Sequence, residues 1–348
     1  MTATPTLRPF LRKIAGGERL NAAEMRAAID VIFDGAASDA EIAGFLMGLA
    51  ARDETPEEIA AAAEAMRARA VRVDAPEDIV DTCGTGGDGA GTFNISTAAA
   101  LIAAGAGAKV AKHGNKAASS KSGSSDVLRA LGVNLEASPA QVSAAIAEAG
   151  VGFIFAARHH QATARAAAAR QALGVRTLFN LLGPLTNPAG ATRQLLGVYA
   201  PRLVPSMAEA LKRLGASRAW VVHGADGLDE LTTTAETHVA ELKNGAITTF
   251  AVTPEEAGLP RAAAEDLAGG APEANADALK RLLAGEQGPY RDIAVLNAAA
   301  ALIVADLAGD LKEGAERAAA AIDDGSAKAA LDRLVTISND ERIQETSA

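Results

Sequence analysis

Three short segments gather the residue types that could do chemistry. The first, DTCGTGGDGAGTFNIST at residues 81–97, sets Gly84, Gly86, Gly87, Gly89 and Gly91 between a strand-like run and a helix expected to start near Ser96. Glycine backbone can come close to phosphate oxygens and offer N–H groups, and a helix N-terminus adds the positive end of its dipole. The segment lacks the Lys-Ser/Thr end of GxxxxGKS/T, so the Walker reading loses its support. The segment reads as a phosphate cradle, with a plain strand-to-helix turn as the bland alternative.

The second segment is AKHGNKAASSKSGSSD, residues 111–126, where Lys109, Lys112, Lys116 and Lys121 stand among His113, Asn115 and a run of serines. Such a loop can hold several anionic oxygens at once. A solvated basic loop is the alternative. Two anion-friendly loops one helix apart suggest a ligand with more than one phosphate. The third segment, HGADGLDELTTT at residues 223–234, carries Asp229 and Glu230 after a strand and a glycine turn. Carboxylate oxygens suit Mg²⁺ shared with substrate phosphates, although an exposed acidic turn has the same composition.

The elements that must position these loops follow from capping and periodicity. Asn21 with Glu24, Ser38 with Glu41, and Thr55 with Glu58 each place a capping side chain three residues before a Glu, so three helices are expected before residue 72. From about residue 73, β-like runs at 78–81, 108–112, 151–157, 195–200 and 218–224 alternate with Ala-rich helical stretches, the pattern of an α/β sheet with crossover helices. HVAEL and AITTF flank Asn244-Gly245, a type I′ hairpin signal that makes the sheet mixed. The run QATARAAAARQAL, residues 161–173, reads as a helix interrupting the sheet region, and the chain is mostly helical from residue 275 on.

Composition narrows the function. In 348 residues, 33 Lys and Arg against 43 Asp and Glu leave a formal charge of −10, which argues against a general nucleic-acid or membrane-surface binder. A single cysteine fits a reducing compartment and excludes a disulfide scaffold. No apolar run reaches the roughly 20 residues that cross a bilayer, so a cytoplasmic protein is expected. Cys83 and Trp220 read as core. His159 and His160, adjacent in sequence, cannot share a metal on a helix and more simply line or cap something.

Taken together, GTGGD, NIST, KHGN, SSKSGSSD, RTLFNLLGPLTNP, DGLDE and RDIAVLNAAAAL resemble the anthranilate phosphoribosyltransferase family in order and spacing, over nearly the whole chain. The resemblance implies an α/β fold: a small helical N-terminal domain joined by a hinge to a larger domain with a mixed central sheet flanked by helices, as in class II nucleoside phosphorylases. It implies a helical domain at 1–72, with an inserted segment at about 161–190 packing on it, and an α/β domain at 73–160 and 191–348.

Carried over by motif, the contacts for phosphoribosyl pyrophosphate are Gly84, Gly87, Asp88, Thr92, Asn94, Ile95, Ser96, Thr97, Lys112, His113, Gly114, Asn115, Lys116, Ala117, Ala118, Ser119, Ser120 and Ser124. Gly84, Asn115 and Arg170 resemble the anthranilate contacts, and Ser96, Asp229 and Glu230 the Mg²⁺ ligands, with two ions per chain. Lys112, Asp229 and Glu230 are the expected catalytic groups. A homodimer through the helical domain is implied, with no nucleic-acid or membrane partner. The implied reaction is transfer of 5-phosphoribose to the amine of anthranilate in L-tryptophan biosynthesis; a nucleoside phosphorylase on the same fold is the nearest rival. The family pattern usually has a proline after the paired histidines, another two residues before the acceptor arginine and a Met between them. Gln161, Ala168 and Thr163 stand there, which directs the difference to the acceptor pocket.

Overall fold

The computed structural model describes residues 6–116 and 122–343. Four helices open the chain: α1 (Arg8–Ala15), α2 (Ala22–Phe33), α3 (Asp39–Ala50) and α4 (Pro56–Arg67). All three expected capping boxes form, with the Asn21, Ser38 and Thr55 side chains accepting from the backbone of Glu24, Glu41 and Glu58, which reach back in turn. α1 lies outside the expected set of three because its N-cap, Leu7, offers no capping side chain. Pro9 in its first turn and the spacing of Phe10, Leu11 and Ile14 are the signals it does carry.

Glu58 does more than cap α4. Its carboxylate is fully buried, accepts from the Leu20 N–H at 2.8 Å and the Thr55 N–H at 2.9 Å, and takes both Arg52 guanidinium nitrogens at 2.6 and 3.0 Å. Burial works against its charge, but the Arg52 pair and the backbone donors prevail and hold the group below the usual carboxylate range.

Seven strands follow: β1 (Val80–Gly84), β2 (Val110–Gly114), β3 (Val151–Phe155), β4 (Arg193–Gly197), β5 (Arg218–Gly224), β6 (Thr237–Lys243) and β7 (Ala246–Val252). They form one sheet in the order β3-β2-β1-β4-β5-β6-β7, parallel from β3 through β5 and antiparallel over the last two. The expected hairpin is there: Lys243 pairs with Ala246 across Asn244 and Gly245, both at positive φ. β4 is shorter than the expected 195–200 run because Tyr199 turns out of the ladder and gives its N–H to the Thr85 hydroxyl at 3.1 Å.

Side chains alternate between two cores, as strand pleating requires. Leu195, Trp220 and Val222 face α5 (Ile95–Gly105) and the C-terminal helices, among them Pro289–Val304. Leu196, Ala219 and Val221 face the helix Leu203–Arg213 and the helical module. The expected helix over 161–173 is instead a 3₁₀ turn, Gln161–Ala166, followed by a short α-helix, Ala167–Leu173. Neither start has a capping side chain, and the Thr163 hydroxyl bonds back to the His160 carbonyl at 2.7 Å, tightening the turn. This segment and the helix Leu178–Leu182 pack on α2, α3 and α4. Among the described residues, no helix is long and apolar enough to cross a membrane.

A histidine cluster joins the end of β3 to its surroundings. His159 Nδ1 meets the Val71 carbonyl at 2.6 Å, and the buried His160 and His113 rings meet edge to face with centroids 5.1 Å apart. Burial and the neighbouring His159 bring His160 down to about 4, so it is neutral in the folded protein at pH 7.

Two measurements follow from these buried groups. A histidine whose folded pKa is depressed stabilises the fold fully above its unfolded value of about 6.5, and that contribution is lost as pH falls toward about 4. Between pH 6.5 and 4.5 the wild type should therefore lose about 2 kcal/mol that a His160→Leu variant does not lose, read as the difference in the pH slope of urea unfolding; equal slopes would show that His160 takes no proton on unfolding. Glu58→Ala leaves Arg52 without its buried partner and should lower unfolding free energy at pH 7 by about 3 kcal/mol or more. That deficit should shrink as pH falls below the usual carboxylate range and through the lowered pKa of Glu58, where the wild-type carboxylate takes up its own proton.

Candidate active site

β1 lies where the strand order reverses: the chain runs from it outward to β2 and β3 on one side, while β4 and β5 build on the other. In open α/β sheets this switch point, at the carboxyl ends of the strands, opens a crevice. A cleft of about 310 Å³ occupies it here. Its walls come from the glycine loop after β1 with the start of α5, from the end of β2 and the loop beyond it, from Arg170 and the 179–184 stretch, and from Asp229 and Glu230. Lys109 is absent from it, since it precedes β2 and so sits at the opposite end of the strand.

The acid pair is seated directly on glycine backbone. A Cβ built on Gly197 would lie 1.5 Å from the Asp229 carbonyl oxygen, and one on Gly84 would lie 2.3 Å from Asp229 Oδ2. At Gly197 the contact is backbone, so no larger residue fits there, and at Gly84 a side chain would displace the Asp229 carboxyl. The turn is held from behind by Asp226, which accepts from the Thr232 and Thr234 hydroxyls, and by Asn297, whose amide pairs with both backbone groups of Leu231. Asp229 Oδ2 accepts the Gly86 N–H at 2.6 Å, and Glu230 Oε1 accepts the Ser96 N–H at 3.2 Å with the Ser96 hydroxyl also in reach. Burial drives both carboxyls upward, Glu230 to about 7, and the charge of Asp88 close by pushes them further.

The second loop is anchored by a buried polar network. Lys112 is 3 % exposed and gives its ammonium to the Thr82 carbonyl at 2.6 Å; burial lowers its pKa, against the pull of Asp81 and the acid pair. Asp81 accepts the His113 N–H at 3.1 Å and the Asn187 amide at 2.8 Å, and its burial raises it to about 6. His113 Nδ1 lies 3.0 Å from the Gly183 carbonyl, and burial followed by the neighbouring His160 keeps the ring neutral. Asn115 accepts the Ser124 hydroxyl and the Ser125 N–H through its carbonyl, both at 3.3 Å. Ala117, Ala118, Ser119 and Ser120 lie outside the described residues.

Arg170 enters from the inserted segment. Its guanidinium lies 5.3 Å from the centroid of the Phe179 ring, with no carboxylate partner among the described residues. Burial lowers its pKa. Gln161, Thr163 and Ala168, expected to reshape the acceptor side, do not line the cleft; its wall there is Ala156, Phe179, Asn180, Gly183 and Pro184 beside Arg170.

Every described residue carried over by motif as a substrate, metal or catalytic group therefore meets in one cleft, while Lys109 and Gly89 of the wider segments do not line it. Sequence reading misses Gly197, Phe179, Asn180 and Asn275. Gly197 has a signal, a glycine within a strand run. Asn275, buried and giving its amide to Asn94 Oδ1 at 2.9 Å, stands 181 residues away and has none.

Comparison with known proteins agrees with this architecture. Residues 8–70 match the helical bundle domain of a glycosyl transferase family and residues 76–328 its a/b domain. The anthranilate phosphoribosyltransferase of Rhodospirillum rubrum is 58% identical over 341 residues, covering 97% of this chain and 98% of that one. The crystal structure of anthranilate phosphoribosyltransferase from Thermus thermophilus superposes with a TM-score of 0.90 at 48% identity, covering 95% of this chain and 99% of that one. The Saccharomyces cerevisiae enzyme in complex with PRPP and Mg gives a TM-score of 0.87 at 29% identity over 95% of this chain and 97% of that one. With the two-domain fold, the cleft at the switch point and these relatives in agreement, the chain belongs to the anthranilate phosphoribosyltransferase family.

Proposed function

We propose that the protein transfers 5-phosphoribose from phosphoribosyl pyrophosphate to the amine of anthranilate, releasing pyrophosphate and N-(5-phosphoribosyl)anthranilate for L-tryptophan biosynthesis. The observation that carries this reading is the meeting, in one cleft, of a glycine loop, a basic loop, an oxygen-only acid pair and an arginine without a carboxylate partner among the described residues. The yeast relative seen with PRPP and Mg supports the donor and the cation, and its complex with 4-fluoroanthranilate supports the acceptor.

Each chemical demand has residues to meet it. The backbone of Gly84 and Gly87, Asp88, Thr92 and the 94–97 helix start bind the sugar and its phosphates, together with Lys112, His113, Gly114, Asn115, Lys116, the adjoining residues 117–120 and Ser124. The Arg170 guanidinium can take the anthranilate carboxylate in bidentate fashion, with Gly84 and Asn115 beside the acceptor. The acceptor amine is neutral at physiological pH and attacks through its own lone pair, inverting the anomeric carbon. A strong general base is unnecessary, because the proton released once the C–N bond has formed can pass to water or another weak acceptor.

The leaving diphosphate is the larger demand, since negative charge gathers on it while the sugar becomes cationic. Burial raises the Asp229 and Glu230 carboxyls, with Asp88 nearby adding to both, and the hard oxygen set of Ser96, Asp229 and Glu230 fits Mg²⁺. Two ions per chain match a donor with three phosphorus centres. When bound, Mg²⁺ neutralises charge on the departing diphosphate. Lys112 adds its ammonium from the floor of the cleft.

Residues 1–72 with 161–190 are taken as one body and 73–160 with 191–348 as the other, because the inserted helices pack on α2, α3 and α4. A hinge between them would bring Arg170 and its acceptor against the donor and shut out water. The family resemblance implies a homodimer through the helical body, which a sedimentation mass near 35.2 kDa would exclude. The lone buried thiol of Cys83 supports a cytoplasmic setting.

The decisive assay mixes protein, phosphoribosyl pyrophosphate, Mg²⁺ and anthranilate and follows the loss of anthranilate fluorescence. Absence of turnover, with phosphorolysis of uridine or thymidine instead, would replace this reading with the phosphorylase one. Asp229→Ala with Glu230→Ala should lower kcat/KM by about 10³-fold or more and remove the dependence on Mg²⁺. Arg170→Ala should raise the anthranilate KM about 10- to 100-fold, the worth of a charge-assisted bond, with the donor KM little changed. An unaltered acceptor KM would move the carboxylate site elsewhere.

A further inference from the structure

A second arginine on the inserted segment reaches the donor side of the cleft. Arg176 is exposed and lies two residues past Gly174, which ends the Arg170 helix. It donates through Nη2 to the Gly87 carbonyl in the middle of the glycine loop. Its guanidinium also covers the Tyr199 ring, 4.3 Å from the centroid. Tyr199 in turn gives its N–H to the Thr85 hydroxyl at 3.1 Å, and the Thr85 N–H goes to the Gly197 carbonyl at 2.9 Å. One planar cation thus ties the loop to the end of β4.

The glycine loop needs such a tie. Gly86, Gly87, Gly89 and Gly91 all sit at positive φ, where the backbone is held by its contacts rather than by side-chain sterics. Asp229 fixes the Gly86 N–H from the cleft side. Arg176 fixes the Gly87 carbonyl, and because the peptide is planar and trans, the Asp88 N–H must then point away from Arg176. Two nearby peptide planes of the loop are set by these two contacts. A Cβ at Gly87 would come within 3.3 Å of Arg176 Nε, so the arginine packs against bare backbone. Guanidinium can stack on a ring and donate in its own plane at the same time, whereas an ammonium cannot do both with the same geometry.

We propose that Arg176 is a positioning residue for donor binding: stacked on Tyr199, it holds the Gly87–Asp88 peptide so that the glycine loop is already shaped for the phosphoribosyl donor. This rests on the transferase reading of the cleft. The loss of its contact should be felt in capture of the donor and not in capture of the acceptor, which Arg170 governs.

The test begins with the wild type, whose failure to turn over phosphoribosyl pyrophosphate and anthranilate would sink the transferase reading by itself. Given turnover, Arg176→Ala should raise the KM for phosphoribosyl pyrophosphate about three- to tenfold while kcat at saturation and the anthranilate KM stay within about twofold. Arg176→Lys should resemble the alanine variant. Tyr199→Ala should reproduce the effect, the double variant should be no worse than either single one, and Tyr199→Phe, which keeps the ring, should match the wild type. In the ligand-free protein, amide hydrogen exchange over residues 85–91 should accelerate in Arg176→Ala while β5 stays protected. A donor KM unchanged in Arg176→Ala, a parallel loss in kcat and both KM values, additive effects of the two alanine variants, or unaltered exchange over 85–91 would each overturn the assignment.

Discussion

Asp229 and Glu230 are buried at the crossing point of a parallel sheet, against strands that have no side chains where they land. Burying two adjacent carboxyls is expensive unless donors and a cation answer them. The fold answers with the Gly86 and Ser96 N–H groups, with the Lys112 ammonium nearby, and with glycines at 84 and 197 that let the acidic turn settle onto backbone. Much of the architecture can be traced to that placement. β1 must be central, so that its glycine loop lies under the pair, and β4 must end in Gly197, so that the turn after β5 can cross it. Burial nevertheless raises both carboxyls above the usual range, against the pull of Lys112 and the Ser96 and Gly86 donors.

A second layer of residues makes that placement rigid. Asn297 on the long helix Pro289–Val304 clamps Leu231, the residue after the pair, through both its backbone groups, and Asp226 closes the same turn through two threonine hydroxyls. Asn275 orients Asn94 at the start of α5, and Asn94 reaches across to the Ser122 carbonyl in the basic loop at 3.3 Å. The helices covering the sheet therefore do more than bury apolar surface: Pro289–Val304 and Pro272–Leu283 each send one amide side chain to a loop that lines the cleft.

What can be read from the sequence is what local chemistry determines. Capping boxes at Asn21, Ser38 and Thr55, the Asn244-Gly245 hairpin and the strand-to-helix glycine loop each depend on residues within a few positions of one another, and each forms as expected. Helix α1 escapes notice because its start lacks a capping side chain, and the 161–173 run reads as one helix because alanine propensity says nothing about where a helix begins. The candidate site is legible segment by segment, but its closure is not. That Lys112 would spend its ammonium on the Thr82 carbonyl, or that Gly197 would be pressed by Asp229, depends on residues far apart in sequence that only the sheet order brings together.

The inserted segment shows why the two substrates can be managed by separate parts of one chain. It carries Arg170 and Arg176 at the two ends of a short stretch that packs on the helical body, yet one guanidinium opens into the cleft over Phe179 and the other grips the backbone of the glycine loop. Phe179 is itself wedged against Phe33 of α2, with ring centroids 6.1 Å apart. The wall of the cleft that carries Arg170 is thereby referenced to the helical body, while the glycine loop is referenced to the sheet, and the 170–180 stretch is common to both. A reaction that must keep an oxocarbenium-like sugar from water needs its acceptor presented only when the donor loop is in order, and a stretch of chain that touches both is the simplest mechanical means of meeting that need.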